Sequence, residues 1–136
     1  MVQQMISYIG ELRCKAAHGP SGVELLTDAP TDNQGKGESF SPTDLVVTAL
    51  ASCIMTTVDI IARREQIKLE GTRIYAEKHM SIDAPRRIVK IVLRFDMPDG
   101  IPLLFRPKLV ATAASCPVKR SIHPDIDVET EFQYPD

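Results

Sequence analysis

A long apolar segment that begins at Ser41 constrains the fold of this chain more than any other feature. Ser41 suits the N-cap of a helix, Pro42 the first helical position, and Asp44 the third, where its carboxylate can reach back to the cap. No glycine or further proline follows until Gly71. The segment therefore predicts a helix that runs to about Gln66, about 25 residues or about 37 Å long at 1.5 Å per residue.

The first half of this predicted helix is apolar almost all round. A helix that is apolar on all sides is expected to be buried on all sides. A lone domain of this size rarely surrounds such a helix well, so we expect a second subunit to cover part of it. The apolar positions are Leu45, Val46, Val47, Ala49, Leu50, Ala51, Cys53, Ile54 and Met55.

Alternating apolar and polar residues predict strands before and after the helix. In the first strands, Ile6, Tyr8, Leu12 and Cys14 form part of an apolar face, and Cys14 is expected to be a core residue. Together the segments predict an α+β fold in the order β-β-β-α-β-β-α-β, as a single domain over residues 1–136. The predicted strands cover residues 3–9, 11–17, 23–27, 68–82, 87–96 and 126–132, and the second helical segment covers 103–115, with a short helix restarting at 116–117.

Composition removes several classes of function. The 136 residues are 43% hydrophobic and 25% charged, which is ordinary for a globular domain. A formal net charge of −2 and an aromatic content of 5% argue against nucleic acid or an anionic membrane as a partner. Because no run of 18 apolar residues occurs, we expect no membrane span. The first five residues do not resemble a signal peptide, so we expect a cytoplasmic protein.

The cysteine and histidine content argues against metal and cofactor sites. The chain has three cysteines and three histidines, and no CxxC motif. An odd number of widely spaced cysteines gives no disulfide framework, and the spacing does not fit a structural zinc site. The sequence therefore predicts neither a metal nor a cofactor.

Cys53 and Cys116 could together carry thiol redox chemistry. A thiolate attacks a peroxide to give a sulfenic acid, which a second cysteine converts into a disulfide. Pro117 at the first position of a short helix puts Cys116 at its N-cap, where free N–H groups and the helix dipole would stabilise a thiolate. Cys53 has no comparable local source of positive charge. Local chemistry alone leaves a redox role open beside a structural role as small buried side chains.

Four motifs together resemble the OsmC/Ohr family. They are Ser41–Leu45 at the helix start, Ala49–Cys53 within the helix, Pro85–Ile91 before a strand that ends at Asp96, and Cys116–Val118. The motifs occur in the family's order over nearly the whole chain. The cysteine in a helix of small residues, paired with a distant Cys-Pro-Val, is a fairly specific combination.

This resemblance implies a fold, an assembly and an activity. Members are intertwined homodimers in which long central helices are wrapped by sheets from both chains, with two active sites at the subunit interface. The better-studied members are cysteine-based peroxidases that reduce organic hydroperoxides in oxidative-stress defence, with a lipoyl-type dithiol as the reductant. Carried over to this chain, Cys53 would attack the peroxide and Cys116 would resolve the sulfenic acid.

The chain departs from the peroxidase pattern at two positions. Peroxidase members carry a glutamate directly after the helix-opening proline, where this chain has Thr43, and an arginine in an early turn, where this chain has His18–Gly22. Arg13 and Asp44 are the candidates to replace these two activating residues. The chain therefore resembles a divergent OsmC-like branch. The alternative function is a weakly active or non-catalytic dimer that binds a small hydrophobic ligand.

Overall fold

The predicted order of strands and helices is confirmed. The computed structural model describes residues 1–136, which form two compact units, residues 1–46 and 47–136. The fold is α+β, with one long helix and two small sheets. The predicted single domain stays a prediction. The strands are β1 (Gln4–Gly10), β2 (Arg13–His18), β3 (Glu24–Leu26), β4 (Arg73–Met80), β5 (Ile88–Asp96) and β6 (Asp127–Gln133), and the helices are α1 (Pro42–Arg64), α2 (Arg106–Ala113) and α3 (Pro117–Ser121).

An antiparallel sheet in the order β1-β2-β3 dominates the first unit. Glu11 and Leu12 form the turn between β1 and β2, with φ values of 55° and 61°. Positive φ at both turn residues is the conformation that matches the twist of a two-residue hairpin. A 3-10 turn at Thr31–Asn33 lies in the segment that leads from β3 to α1.

The strands of the first sheet are confirmed, but this chain leaves their large apolar residues exposed, and the expected core position of Cys14 is wrong. Ile6 is 57% exposed, Tyr8 67% and Leu12 49%, and Cys14 is only half-buried. Six of the seven β1 residues are exposed, so both faces of that strand are open. Alternation predicts a strand but does not reveal whether a given chain covers its apolar face.

The predicted N-terminal cap of α1 is confirmed. The backbone N–H of Ser41 donates to Oδ2 of Asp44 at 2.9 Å, and the N–H of Asp44 donates to Oγ of Ser41 at 3.1 Å. This reciprocal pair is a capping box. At the other end, Gln66 has φ 59° and the N–H of Ile67 donates to the carbonyl of Ala62. That Schellman arrangement ends the helix at Arg64, slightly earlier than predicted.

The second unit contains the apolar core. A stripe of α1, including Leu50, Ile54 and Val58, is buried in one cluster with Leu93 and Phe95 of β5. The sheet has the order β4-β5-β6, in which β5 is antiparallel to β4 and parallel to β6. Parallel neighbours need a crossover connection, and here α2 and α3 supply it between β5 and β6.

One helix is long and apolar enough to span a membrane, contrary to the expectation from the sequence. By length and composition α1 passes that test, with a mean hydropathy of 2.1 over 18 residues, because isolated polar residues do not lower the average enough. The core helix of a soluble protein passes the same test. Val47, Leu50, Ala51, Ile54, Val58 and Ala62 of α1 are all buried in the protein core.

Candidate functional site

The fold brings the two sequence-predicted redox cysteines together. Cys53 lies in the middle of α1, and Cys116 is the N-cap of α3. Cys53 packs against the core cluster that contains Cys116, close enough that its side chain raises the pKa of the Cys116 thiol. Both residues belong to the second unit, and neither is part of a disulfide. The positions of the two cysteines in the sequence do not indicate that they lie close together. Their proximity depends on where the connection between β5 and β6 places α3.

Cys116 is fully buried and is held at a specific hydrogen-bonding position. Its relative exposure is 0%, and its sulfur accepts a hydrogen bond from the backbone N–H of Lys119 at 3.3 Å. This is the predicted N-cap geometry. Pro117 has no N–H to offer, so the donors near the sulfur come from the next residues of α3.

The prediction that the cap would make Cys116 acidic is wrong. Burial raises the pKa of the Cys116 thiol, and the neighbouring Cys53 side chain raises it further. The backbone N–H groups of Lys119 and Val118 act in the opposite direction without overcoming the burial. Local sequence revealed the cap but not the loss of solvent around the sulfur, which is the larger effect.

The raised pKa of Cys116 predicts a loss of stability at alkaline pH. The protonated Cys116 contributes fully to the free energy of unfolding below the pKa of a thiol in the unfolded chain, about 8.5. This contribution is lost as pH rises through the higher pKa of the folded protein, because the unfolded chain releases its proton first. We expect the unfolding free energy of the reduced protein to fall above about pH 8.5, and to fall less in Cys116→Ser. Urea unfolding at a series of pH values measures this slope. Cys14→Ser is the control, and an unchanged slope in Cys116→Ser would contradict the assignment.

Cys53 is half-buried, and its neighbours on α1 include small exposed side chains. Ala49 and Thr56 lie four residues before and three residues after it, which puts them on the same helical face. Ser52 and Thr56 donate their hydroxyl hydrogens to carbonyl oxygens of the same helix. Those hydroxyls are therefore already hydrogen-bonded within the helix.

Arg13, predicted as an activating residue, takes part in an ion cluster within the first unit. Its Nη2 lies 3.2 Å from Oδ2 of the fully buried Asp28 and 2.9 Å from Oε2 of Glu38. The backbone N–H of Glu38 donates to the same Asp28 oxygen at 3.0 Å. That hydrogen bond lowers the pKa of Asp28, and the charge of Arg13 lowers it further. The cluster ties the segment before α1 to strand β2.

Asp44, the other predicted activating residue, serves the capping box of α1 through the Ser41 backbone. Its carboxylate therefore already has a structural role. Whether Arg13 or Asp44 also acts on Cys53 stays a prediction. No sequence signal indicates the burial of Asp28, because an aspartate in a turn-rich segment, here two residues before Pro30, usually lies at the surface.

A cavity of about 250 Å³ lies between α2, α3 and β6 in the second unit. Its walls are mostly apolar, and Lys119 provides the one charged side chain. No group of three or more His, Cys, Asp or Glu side chains is placed to share a metal ion. The lining residues are Val110, Ala113, Ala114, Lys119, Val128, Thr130 and Phe132.

The comparisons with known proteins agree on one family. The profile of OsmC-like proteins matches residues 35–131. The crystal structure of a protein described as an osmotic stress induced and detoxification response protein from Psychrobacter arcticus 273-4 is 41% identical, with a TM-score of 0.93 over 98% of this chain and 96% of that one. No curated protein matches the chain.

More distant solved structures share the fold. An organic hydroperoxide resistance protein OsmC from Legionella pneumophila is 18% identical, with a TM-score of 0.77 over 98% of this chain and 96% of that one. An organic hydroperoxide resistance protein from Elizabethkingia anophelis is 15% identical, with the same TM-score and the same coverage. The family profile and the 41% identical relative show that this chain belongs to the OsmC-like family.

Proposed function

We propose that this chain is a cytoplasmic, homodimeric thiol peroxidase that reduces organic hydroperoxides in oxidative-stress defence. The observation that carries the proposal is that Cys53 packs against the core cluster that contains Cys116 and interacts with its thiol. The folds of organic hydroperoxide resistance proteins from two organisms, which this chain shares, support the choice of substrate class. A reducing compartment suits the two free thiols.

The proposed oxidative half of the cycle needs both sulfurs. The Cys53 thiolate attacks the terminal oxygen of the hydroperoxide, the O–O bond breaks, and the alcohol leaves after taking up a proton. Cys53 is then a sulfenic acid. The Cys116 thiol gives up its proton and its sulfur attacks Cys53; the S–S bond forms, the S–O bond breaks, and the hydroxyl group takes up that proton and leaves as water. Because the two side chains are already close together, this second step needs little rearrangement.

The reductive half of the cycle requires an external reductant, which we propose is a dithiol of the lipoyl type. Thiol–disulfide exchange transfers two electrons and returns both cysteines to thiols. We also propose that a cation stabilises the Cys53 thiolate, with Arg13 as the candidate cation and Asp44 as the candidate carboxylate that would orient it. Arg13 would have to act while balanced by Asp28 and Glu38.

Hydroperoxide consumption by the wild-type protein tests this function. With dihydrolipoamide as the reductant, we expect an alkyl hydroperoxide to be consumed over many turnovers, followed by a colorimetric peroxide assay. Omitting the dithiol should limit consumption to about one equivalent per protomer, because the disulfide is then not reduced. Consumption no faster than the reaction of dithiol and hydroperoxide alone would contradict the proposal.

The dimer part of the proposal rests on two uncovered apolar surfaces. In the first unit, the sheet exposes large apolar side chains, among them Met5, Ile6 and Tyr8. In the second unit, Ile60 of α1 is 56% exposed. Exposed apolar patches of this extent are typical of interaction surfaces. A second copy of the chain would cover them, as expected for a helix too apolar for one chain to bury.

Introducing charge into the exposed sheet tests the dimer. Ile6 and Tyr8 lie on the same face of β1, so we expect Ile6→Glu combined with Tyr8→Glu to place carboxylates in the interface and to dissociate it. Sedimentation velocity at micromolar concentration should show a dimer for the wild type and a monomer for this variant. Lys36→Glu, in an exposed loop residue, is the control. A double variant that stays dimeric would contradict this interface.

The apolar cavity beside α3 favours a second candidate function, the binding of a small hydrophobic ligand. Its volume of about 250 Å³ and its mostly apolar walls fit a small molecule. On this alternative the cysteines are not required. Saturable binding of a fluorescent fatty acid that persists after both Cys53 and Cys116 are replaced, without peroxide turnover by the wild type, would favour binding over catalysis.

A further inference from the structure

The two sulfurs of the proposed disulfide differ in their accessibility. Cys116 is 0% exposed and belongs to a core cluster whose buried members all lie within residues 47–136. Cys53 is only half-buried and packs at the edge of that cluster. A partner subunit could add cover to either sulfur but could not uncover Cys116. A reductant that approaches the folded protein therefore meets Cys53 first.

The direction of attack reinforces this difference. In thiol–disulfide exchange, the incoming thiolate, the attacked sulfur and the leaving sulfur lie close to a line. An attack on Cys116 would have to come through the core, whereas an attack on Cys53 comes from the side away from Cys116. On that part of α1, Ala49 and Thr56 are small, so their own side chains do not block this approach.

Cys116 is also placed to leave as a thiolate. The Lys119 N–H donates to its sulfur at 3.3 Å, and the Val118 N–H also favours the charged form. These donors are fixed by the first turn of α3, so they need no rearrangement when the S–S bond breaks. Burial disfavours the Cys116 thiolate. Once the S–S bond has broken, Cys116 takes up a proton, which removes the cost of burying the charge.

We infer that the reductant attacks Sγ of Cys53 and that Cys116 is the leaving group, an inference that rests on the proposed function only for its disulfide. A thiolate of the dithiol forms a bond to Cys53, the Cys53–Cys116 bond breaks, and its electron pair passes to Cys116, which takes up a proton. The second thiolate of the reductant then attacks the reductant's own sulfur in the mixed disulfide. Cys53 leaves as a thiolate, and the reductant departs as a cyclic disulfide.

This order explains why a dithiol suits the site better than a monothiol. In the mixed disulfide, Cys116 remains beside Cys53 and can attack it again, which expels a monothiol and restores the protein disulfide. A dithiol escapes this reversal, because its second thiol is tethered at a high effective concentration. With a monothiol of equal basicity, reduction should be slower by on the order of tenfold or more.

Trapping the mixed disulfide tests the inference without any peroxide. Cys14→Ser protein, which keeps only Cys53 and Cys116, is oxidised with diamide and then mixed with excess cysteamine. After an acid quench and alkylation with N-ethylmaleimide under denaturing conditions, peptide mass spectrometry locates both groups. We expect cysteamine on Cys53 and the alkyl group on Cys116. Cysteamine mainly on Cys116, or no disulfide between the two cysteines after diamide, would overturn the inference.

A matched pair of variants provides a second measurement. In the Cys14→Ser background, Cys116→Ser leaves only Cys53 and Cys53→Ser leaves only Cys116. With an aromatic disulfide reagent, we expect Cys53 to react on the order of tenfold faster than Cys116, or more. Equal rates would overturn the inference. If diamide gives the disulfide and cysteamine opens it at Cys53, but hydroperoxides are not consumed, then the peroxidase proposal fails while this inference stands.

Discussion

Replacing Cys53 by serine is expected to abolish hydroperoxide consumption, whereas replacing Cys116 should stop the cycle after one turnover. A serine hydroxyl does not ionise near neutral pH and cannot reduce a peroxide, so Cys53→Ser removes the reacting atom. In Cys116→Ser, Cys53 still reacts with the peroxide, but no neighbouring thiol condenses with its sulfenic acid. With the dithiol present, consumption by Cys116→Ser should therefore stop at about one equivalent per protomer, whereas the wild type continues over many turnovers.

Trapping distinguishes the two roles. Dimedone added during the reaction should label Cys53 in Cys116→Ser, and mass spectrometry of the peptide that contains residue 53 measures the label. Cys14→Ser is the matched control, since it removes a half-buried thiol with no predicted role, and it should keep full turnover. Full activity of Cys53→Ser, or dimedone labelling of Cys116 in Cys53→Ser, would contradict the assigned roles.

Phe95→Ala is expected to cause a large loss of stability. Phe95 is fully buried at the centre of the second sheet, and its ring stacks on Phe132 with centroids 4.9 Å apart. Removing a buried phenylalanine leaves a cavity and costs about 3–5 kcal/mol in the free energy of unfolding. Urea unfolding at one fixed protein concentration measures the loss, because the stability of a dimer depends on concentration.

Two further variants control for this prediction. Ile82→Ala changes a fully exposed apolar side chain between β4 and β5, and we expect it to lie within about 0.5 kcal/mol of the wild type. Phe95→Leu keeps most of the volume and should cost clearly less than Phe95→Ala. A loss below about 1 kcal/mol for Phe95→Ala would show that the site collapses around the deleted ring.

The local elements of the fold could be predicted because they depend on neighbouring residues. Ser41, Pro42 and Asp44 interact across a single helical turn, so the start of α1 was visible in the sequence and is confirmed by the capping box. The end of α1 was less accurate. It depends on Gln66 adopting a left-handed conformation, which is unusual for glutamine and gives no sequence signal.

Burial was the property that local patterns predicted least well. Ile6 and Tyr8 alternate as core residues would, yet they are exposed. Asp28, in a turn-rich segment, is fully buried beneath Arg13 and Glu38. Alternation and composition describe what a segment prefers, whereas burial depends on which distant segments pack against it.

For the cysteine pair, too, some properties follow from the local sequence and others only from the tertiary structure. The sequence by itself determined the elements that carry Cys53 and Cys116, the N-cap position of Cys116, and the family resemblance that paired them. The tertiary structure alone decided that the two cysteines lie close together and that Cys116 is buried whereas Cys53 is only half-buried. It also made Cys116 less acidic than its N-cap position predicts, because desolvation in the core raises the pKa of the thiol more than two backbone N–H groups lower it. Contact and desolvation arise from residues far apart in the chain, so no local pattern could have revealed them.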